Sequence, residues 1–293
     1  MPRRLAPIKV PGSYKMKTHI LRVECADEKG LVYKVTGILY KHGLNIVSND
    51  EFVDHEKKRF FMRTEYSGET DSKKILKELS RQLPKDAIVQ LAPDRKKNIV
   101  IFATKEYHCL ADLLLRHAHN ELHANILAVV SNHRVLAPLT AQFKIPYHCL
   151  PCEGKTREEH EAAILKVVGR LRPEFLVLAK YMRILSGQLV RHFENRIINI
   201  HHSFLPAFTG ANPYQQAAQR GVKIIGATAH YVTEDLDEGP IIAQDVIPVD
   251  HSHSVVDMAQ AGRDVEKNVL ARALKLVFED RVFVSDNKTI LFD

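Results

Sequence analysis

Between residues 99 and 249 the chain alternates short apolar runs with segments whose apolar residues recur at helical spacing, and no other feature limits its possible folds as much. Residues 99–103, 125–130, 146–149 and 175–178 read as strands, and residues 109–119, 135–143 and 157–171 read as the helices between them. That order predicts a mostly parallel sheet with right-handed crossovers, because parallel neighbours need a long connection that packs back on the sheet. Residues 222–232 and 241–249 add two strand-like runs. Residues 254–278 form one long helical segment, with Val265, Val269, Leu270, Leu274 and Val277 on a shared packing face.

The first third follows a different order. A strand with Ile20, Arg22 and Cys25 leads into a helix carrying Leu31, Val35, Ile38 and Leu39, which Gly43 ends. Strands over 45–53 and 59–66 flank a turn at 54–57, a helix covers 72–83, and a last strand covers 87–91. The result is a ferredoxin-like βαββαβ order. Single cores stop growing near ~250 residues, so a chain of 293 suits two domains. We place them at 18–93 and 98–293, with Arg95-Lys96-Lys97 as the hinge, and residues 1–17 as a basic tail broken by Pro2, Pro7 and Pro11.

Composition excludes several function classes. Hydrophobic residues make up 45% and charged residues 26%, and no apolar run approaches the ~18 residues that span a bilayer. Four cysteines in this length are no disulfide scaffold, and no apolar signal core follows the amino terminus, so the expected compartment is the reducing cytoplasm. The net charge of +7 is spread among 35 acidic residues without a nucleic-acid reading motif, so neither nucleic acid nor membrane is expected as a partner. Neither G-x-G-x-x-G nor a phosphate-binding Gly-Lys-Ser/Thr loop is present, which argues against hydride and phosphoryl transfer. His148-Cys149-Leu150-Pro151-Cys152 has zinc-like spacing but lacks a second ligand pair, so no metal is expected. His160, within Glu158-Glu159-His160-Glu161, is expected on a solvated helix face.

Chemistry concentrates in Asn199-Ile200-His201-His202-Ser203-Phe204-Leu205-Pro206, which follows Ile197-Ile198. Side chains alternate along a strand, so Asn199, His201 and Ser203 should share one face, with Ile198, Ile200 and His202 on the other. An amide that can donate to an oxyanion and an imidazole that can move a proton would then stand at a strand's carboxyl end, where open α/β sheets bind ligands. Asp237, in the turn Leu236-Asp237-Glu238-Gly239-Pro240, is the carboxylate suited to set the imidazole's state. Spacing alone fits loop-capping groups equally well.

Residues 197–246, through the Asn199-x-His201-x-Ser203-x-Leu205-Pro206 and Asp237 motifs, resemble the formyltransferase family that uses 10-formyltetrahydrofolate. The resemblance implies a Rossmann-like domain in which Asn199, His201 and Asp237 are catalytic. It also implies a folate wall made by Met182, Arg183, Ile184, Leu185, His230 and Glu238. The first domain, through Gly30-Leu31-Val32 and Gly43-x-Asn45-Ile46, resembles the ACT domain. That likeness implies an amino-acid effector near Gly30, Leu31 and Asn45, or pairing into a homodimer or homotetramer. Transferases of glycinamide ribonucleotide carry a Gly-rich phosphate loop after the first strand of the catalytic domain. Here that loop is Thr104-Lys105-Glu106-Tyr107-His108-Cys109, without glycine and with bulky side chains. From about residue 18 onward the chain is therefore most similar to the deformylase branch, in which water accepts the formyl group. The branch implies release of formate, for purine synthesis and balance of the folate pools, without cofactor. Transfer to an amine, or a non-catalytic folate or amino-acid sensor, are the alternatives.

Overall fold

The computed structural model describes residues 18–69, 71–93, 95–207 and 213–292. The expected tail at 1–17 and the loop residues 208–212 lie outside them. The chain divides into two compact units, one through residue 94 and one from Arg95.

In the first unit the elements run β1 (Thr18–Ala26), α1 (Leu31–Lys41), β2 (Asn45–Asp54), β3 (Arg59–Ser67), α2 (Ser72–Gln82) and β4 (Ile88–Pro93). The sheet order is β2-β3-β1-β4, all antiparallel, as the βαββαβ reading requires. Leu21, Val23 and Cys25 of β1 and Phe60 and Met62 of β3 meet Val35, Leu39, Ile75 and Leu79 of the helices in one core. Gly30 precedes α1 with φ +86° and Gly43 follows it with φ +69°, left-handed positions that glycine adopts without steric cost. Asp71 caps α2 by accepting the Lys73 N–H at 3.0 Å.

The second unit runs β5 (Lys97–Ala103), α3 (His108–Ala118), β6 (Ala124–Ser131), α4 (Ala137–Gln142), β7 (Tyr147–Cys149), α5 (Arg157–Leu171), β8 (Phe175–Leu178), α6 (Gly187–His192), β9 (Ile197–His201), α7 (Pro213–Arg220), β10 (Ile224–Tyr231), β11 (Ile241–Pro248), α8 (Val255–Phe278), β12 (Val282–Ser285) and β13 (Lys288–Leu291). The large sheet has the order β11-β10-β9-β8-β5-β6-β7. Strands β9-β8-β5-β6-β7 are parallel, and β10 and β11 add an antiparallel edge. Period-two alternation gives each face its own core. Ile99, Ile101 and Ala103 of β5 pack with Leu110, Leu114, Leu270 and Leu274 of α3 and α8, while Val100 and Phe102 pack with Ile164, Val168 and Leu189 of α5 and α6.

The connection after β7 carries the chain to the other side of β5, so the loops following β5 and β8 part at a switch point, the usual ligand position in such sheets. The division falls directly before Arg95-Lys96-Lys97, whose side chains are held within the second unit: Arg95 binds Glu174 through two bonds of 2.7 and 2.8 Å, Lys96 donates to Asn120 at 2.9 Å, and buried Lys97 reaches Asp280 at 2.7 Å. Two expectations need correction. His160 is buried instead of solvated, with Nε2 2.9 Å from the Leu150 carbonyl, because α5 turns that side inward. Finally, α6, α7 and the hairpin β12–β13 were not foreseen; elements this short carry too few periods to separate from loops.

Candidate active site

Four strand ends and one returning loop surround a cavity of about 630 Å³. Of the residues expected there, Asn199, His201, Asp237, Met182, Arg183, Ile184, Leu185 and His230 all line it. Glu238 does not: it is exposed, and its backbone carbonyl accepts from Asn287. The acid on that wall is Glu234, held 2.7 Å from Arg191 of α6. Ser203 is also absent from the lining, and His202 is present, contrary to strict alternation. The reason is that β9 ends at His201, so parity no longer governs the residues beyond it.

The register of β9 against β10 places Asn199 opposite His230, which brings an amide and an imidazole side by side. His230 Nδ1 donates to the Tyr231 carbonyl at 2.8 Å, since a carbonyl oxygen can only accept. In the neutral ring Nε2 then accepts, and Asn199 Nδ2 donates to it at 3.2 Å. This fixes the amide with nitrogen toward the ring and leaves its second N–H without a partner among the described residues. His201 Nδ1 lies 3.3 Å from Asp237 Oδ2, and His230 Nε2 lies 3.6 Å from Asp237 Oδ1. His201 Nε2, buried, has no partner among the described residues and is the ring atom left for a substrate.

Asp237 arrives on the loop between β10 and β11, in the left-handed region at φ 58°. That loop closes where Tyr231 N–H donates to the Pro240 carbonyl at 2.9 Å. A Cβ on Gly239 would lie 2.9 Å from the Tyr231 carbonyl carbon and closer to its oxygen, so only glycine fits. Burial acts to raise the Asp237 carboxyl, but the interaction with His201, whose Nδ1 lies 3.3 Å away, outweighs it and holds the group well below the ordinary carboxylate range. An anionic Asp237 therefore orients His201 as carboxylates orient imidazoles in catalytic dyads.

A second polar group, which sequence reading missed, forms the other end of the cavity. Glu266 of α8 is 1% exposed; its Oε2 accepts His108 Nε2 at 2.7 Å and lies 3.2 Å from Lys180 Nζ, and its Oε1 accepts the Tyr214 hydroxyl at 2.9 Å. Glu106 stands 3.9 Å from Lys180 and 3.7 Å from His108. Burial pushes the Glu266 carboxyl up, yet the bond from His108 and the Lys180 charge bring it down to about 2. Lys180 is 5% exposed and has φ 61°, a strained backbone for lysine at the carboxyl end of β8. One sequence signal pointed here: Gly262 inside α8, where a Cβ would lie 2.6 Å from Tyr214 Cε1. Glycine is what lets the hydroxyl reach Glu266.

His108, Cys109 and Glu266 place three potential metal-ligating atoms together. The Lys180 ammonium already supplies the cation there, and burial followed by the Glu266 charge pushes the Cys109 thiol well above its usual range, so it stays protonated and a poor ligand. His148, Cys149 and Cys152 form no such cluster among the described residues; the Cys152 sulfur accepts from Asn132 at 3.8 Å.

Folate-side residues divide by exposure. Met182 and Ile184 are 58% and 61% exposed at the rim, Arg183 is exposed beside them, and Leu185 is buried. Met182 N–H donates to Thr104 Oγ1 at 2.9 Å, and buried Glu161 accepts Ser186 N–H at 2.7 Å, so both ends of this segment are pinned. In the first unit, Gly30 and Asn45 are exposed, whereas Leu31 is buried in the core and unable to offer its side chain to an effector.

Residues 97–274 match the formyl transferase family and residues 19–83 the ACT domain. The formyltetrahydrofolate deformylase of Escherichia coli K12 is 52% identical over 278 residues, covering 95% of this chain and 99% of that one. The crystal structure of a formyltetrahydrofolate deformylase from Pseudomonas syringae is 42% identical with a TM-score of 0.92, covering 96% of both chains. Glycinamide ribonucleotide transformylase 1 from Symbiobacterium toebii is 27% identical with a TM-score of 0.65 and covers only 68% of this chain but 95% of its own. An ACT domain followed by a formyl transferase domain, with relatives matched along nearly the whole length of both chains, makes this chain a member of the formyltetrahydrofolate deformylase family.

Proposed function

We propose that this chain hydrolyses 10-formyltetrahydrofolate to formate and tetrahydrofolate. The observation that carries the reading is one cavity in which Asn199, His201, His230 and Asp237 stand within 3.2–3.6 Å of one another in turn, beside a wall of exposed apolar side chains suited to a flat ring. At its other end Glu106, in the loop after β5, puts a carboxylate where a phosphate-bearing amine would need a glycine-rich loop.

In this reading the oxygen of a water bonds to the formyl carbon while the carbonyl electron pair moves onto oxygen. The second amide N–H of Asn199 and the Nε2–H of protonated His201 donate to that oxyanion. Asp237 takes the proton that the water loses. His201 then delivers its Nε2 proton to N10 as the C–N bond breaks, and the proton on Asp237 is relayed back to the imidazole. Formic acid leaves and gives up its own proton to solvent as formate. Met182, Ile184 and Leu185 hold the ring, with Arg183 at the rim for the acidic tail.

No metal or redox cofactor enters these steps. The further expectations rest on the same reading: cytoplasmic location, formate supply to purine synthesis, a small amino-acid effector at the ACT domain near Gly30 and Asn45, and assembly into a homodimer or homotetramer. No described helix is long and apolar enough to cross a membrane.

The test is Asn199→Ala, assayed for formate release without any amine. Losing one oxyanion donor predicts a fall of about 10²–10³ in turnover with folate binding retained. Near-normal turnover refutes the assignment.

A further inference from the structure

The polar groups at the second end of the cavity are committed to one another. Tyr214 donates to Glu266, His108 and Lys180 share its other oxygen, and Glu106 stands near both His108 and Lys180. His202 is different. Its ring lines the cavity, 4.9 Å from the His201 ring and 6.5 Å from the Tyr214 ring, and it makes no hydrogen bond to any described residue. It thus stands between the reacting end and the Glu266 network with its ring nitrogens open.

We propose that His202 positions the attacking water, accepting a hydrogen bond from it through a ring nitrogen that faces the cavity, and so reserves the acceptor place for water. The proposal rests on the assignment of Asn199 and His201 to the reacting end. A neutral imidazole is required, because the protonated ring has no lone pair to accept with. Burial, then the charges of Lys180 and His201, bring the His202 ring down to about 4, against the opposite pull of Glu266 and Asp237.

The experiment compares the wild-type chain with His202→Phe, which keeps the ring's bulk, and His202→Asn, which keeps an acceptor. Three quantities are read: formate release, tetrahydrofolate affinity, and capture of the formyl group by added hydroxylamine as formohydroxamate. His202→Phe should lower hydrolytic kcat by about 10², the cost of a misplaced nucleophile, with folate affinity within about twofold. Capture by hydroxylamine, a stronger nucleophile, should fall far less, so its share of product rises. His202→Asn should recover at least about tenfold of the lost rate.

Unchanged kcat in His202→Phe, or hydrolysis and capture falling in parallel, overturns the proposal, since a residue that only packs would not shift the product ratio. Asn199→Ala separates the two readings. It should depress hydrolysis and capture together; if it depresses neither, the assignment of the reacting end fails, whatever His202 does.

Discussion

Gly262→Ala is the substitution for which local and tertiary physics give opposite signs. In an isolated helix alanine is better than glycine by about 1 kcal/mol. Within α8 the new Cβ would lie 2.6 Å from Tyr214 Cε1 and closer still to its ring carbon and hydroxyl. Tyr214 must therefore retreat, and Glu266, 1% exposed, loses one of its donors. A hydrogen bond to a charged group is worth about 1.5–3 kcal/mol, and overpacking costs about 1–3 kcal/mol. Against the propensity gain, the net is a destabilisation of about 1.5–5 kcal/mol. In a unit of this size each kcal/mol moves the midpoint by about 2–4 °C, so thermal unfolding of the second unit should begin roughly 3–20 °C lower. Circular dichroism melts of the full chain, with the second unit's transition identified by its shift on adding tetrahydrofolate, measure this. A midpoint equal to or above the wild-type value would show that Tyr214 does not depend on that gap.

Asp237→Asn should leave a folded protein whose hydrolysis falls by at least about 10², read as formate release at saturating substrate. It also tests linkage. The folded Asp237 carboxyl titrates below its unfolded value of about 3.9, so its interaction with His201 is fully stabilising above that pH and is lost as pH falls toward the folded value. Melts between pH 6 and pH 3 should therefore show a shallower acid-side decline in Asp237→Asn than in the wild type; equal slopes would contradict the pairing. Gly239→Ala should displace the Asp237 loop by forcing a Cβ onto the Tyr231 carbonyl, lowering turnover about as much as Asp237→Asn. Activity within a few-fold of wild type would mean the loop holds Asp237 by other contacts.

Much of this architecture is legible because its signals are local. The helix face of Val265, Val269, Leu270, Leu274 and Val277 is buried as its spacing predicts, and the strand of Ile197 and Ile198 carries Asn199 and His201 to a sheet end. Asn199 and His201 share a face because two-residue periodicity holds until the strand stops at His201. It fails one residue later, which is why His202 enters the cavity and Ser203 does not. Glu238 and Glu234 could not be told apart from sequence, since the loop's path depends on closure between Tyr231 and Pro240. The Glu266 network is hidden for another reason. His108 and Glu266 are 158 residues apart, and a glutamate beside Val265 on an amphipathic helix reads as a boundary of the polar face until its partners are seen.

The most direct test of the central claim is formate release from 10-formyltetrahydrofolate by the purified, chelator-treated full chain with no amine present. The account predicts formate and tetrahydrofolate in equal amounts, at a rate unchanged when an amine such as glycinamide ribonucleotide is added. Folate binding without formate, or turnover that appears only once the amine is supplied, would contradict it.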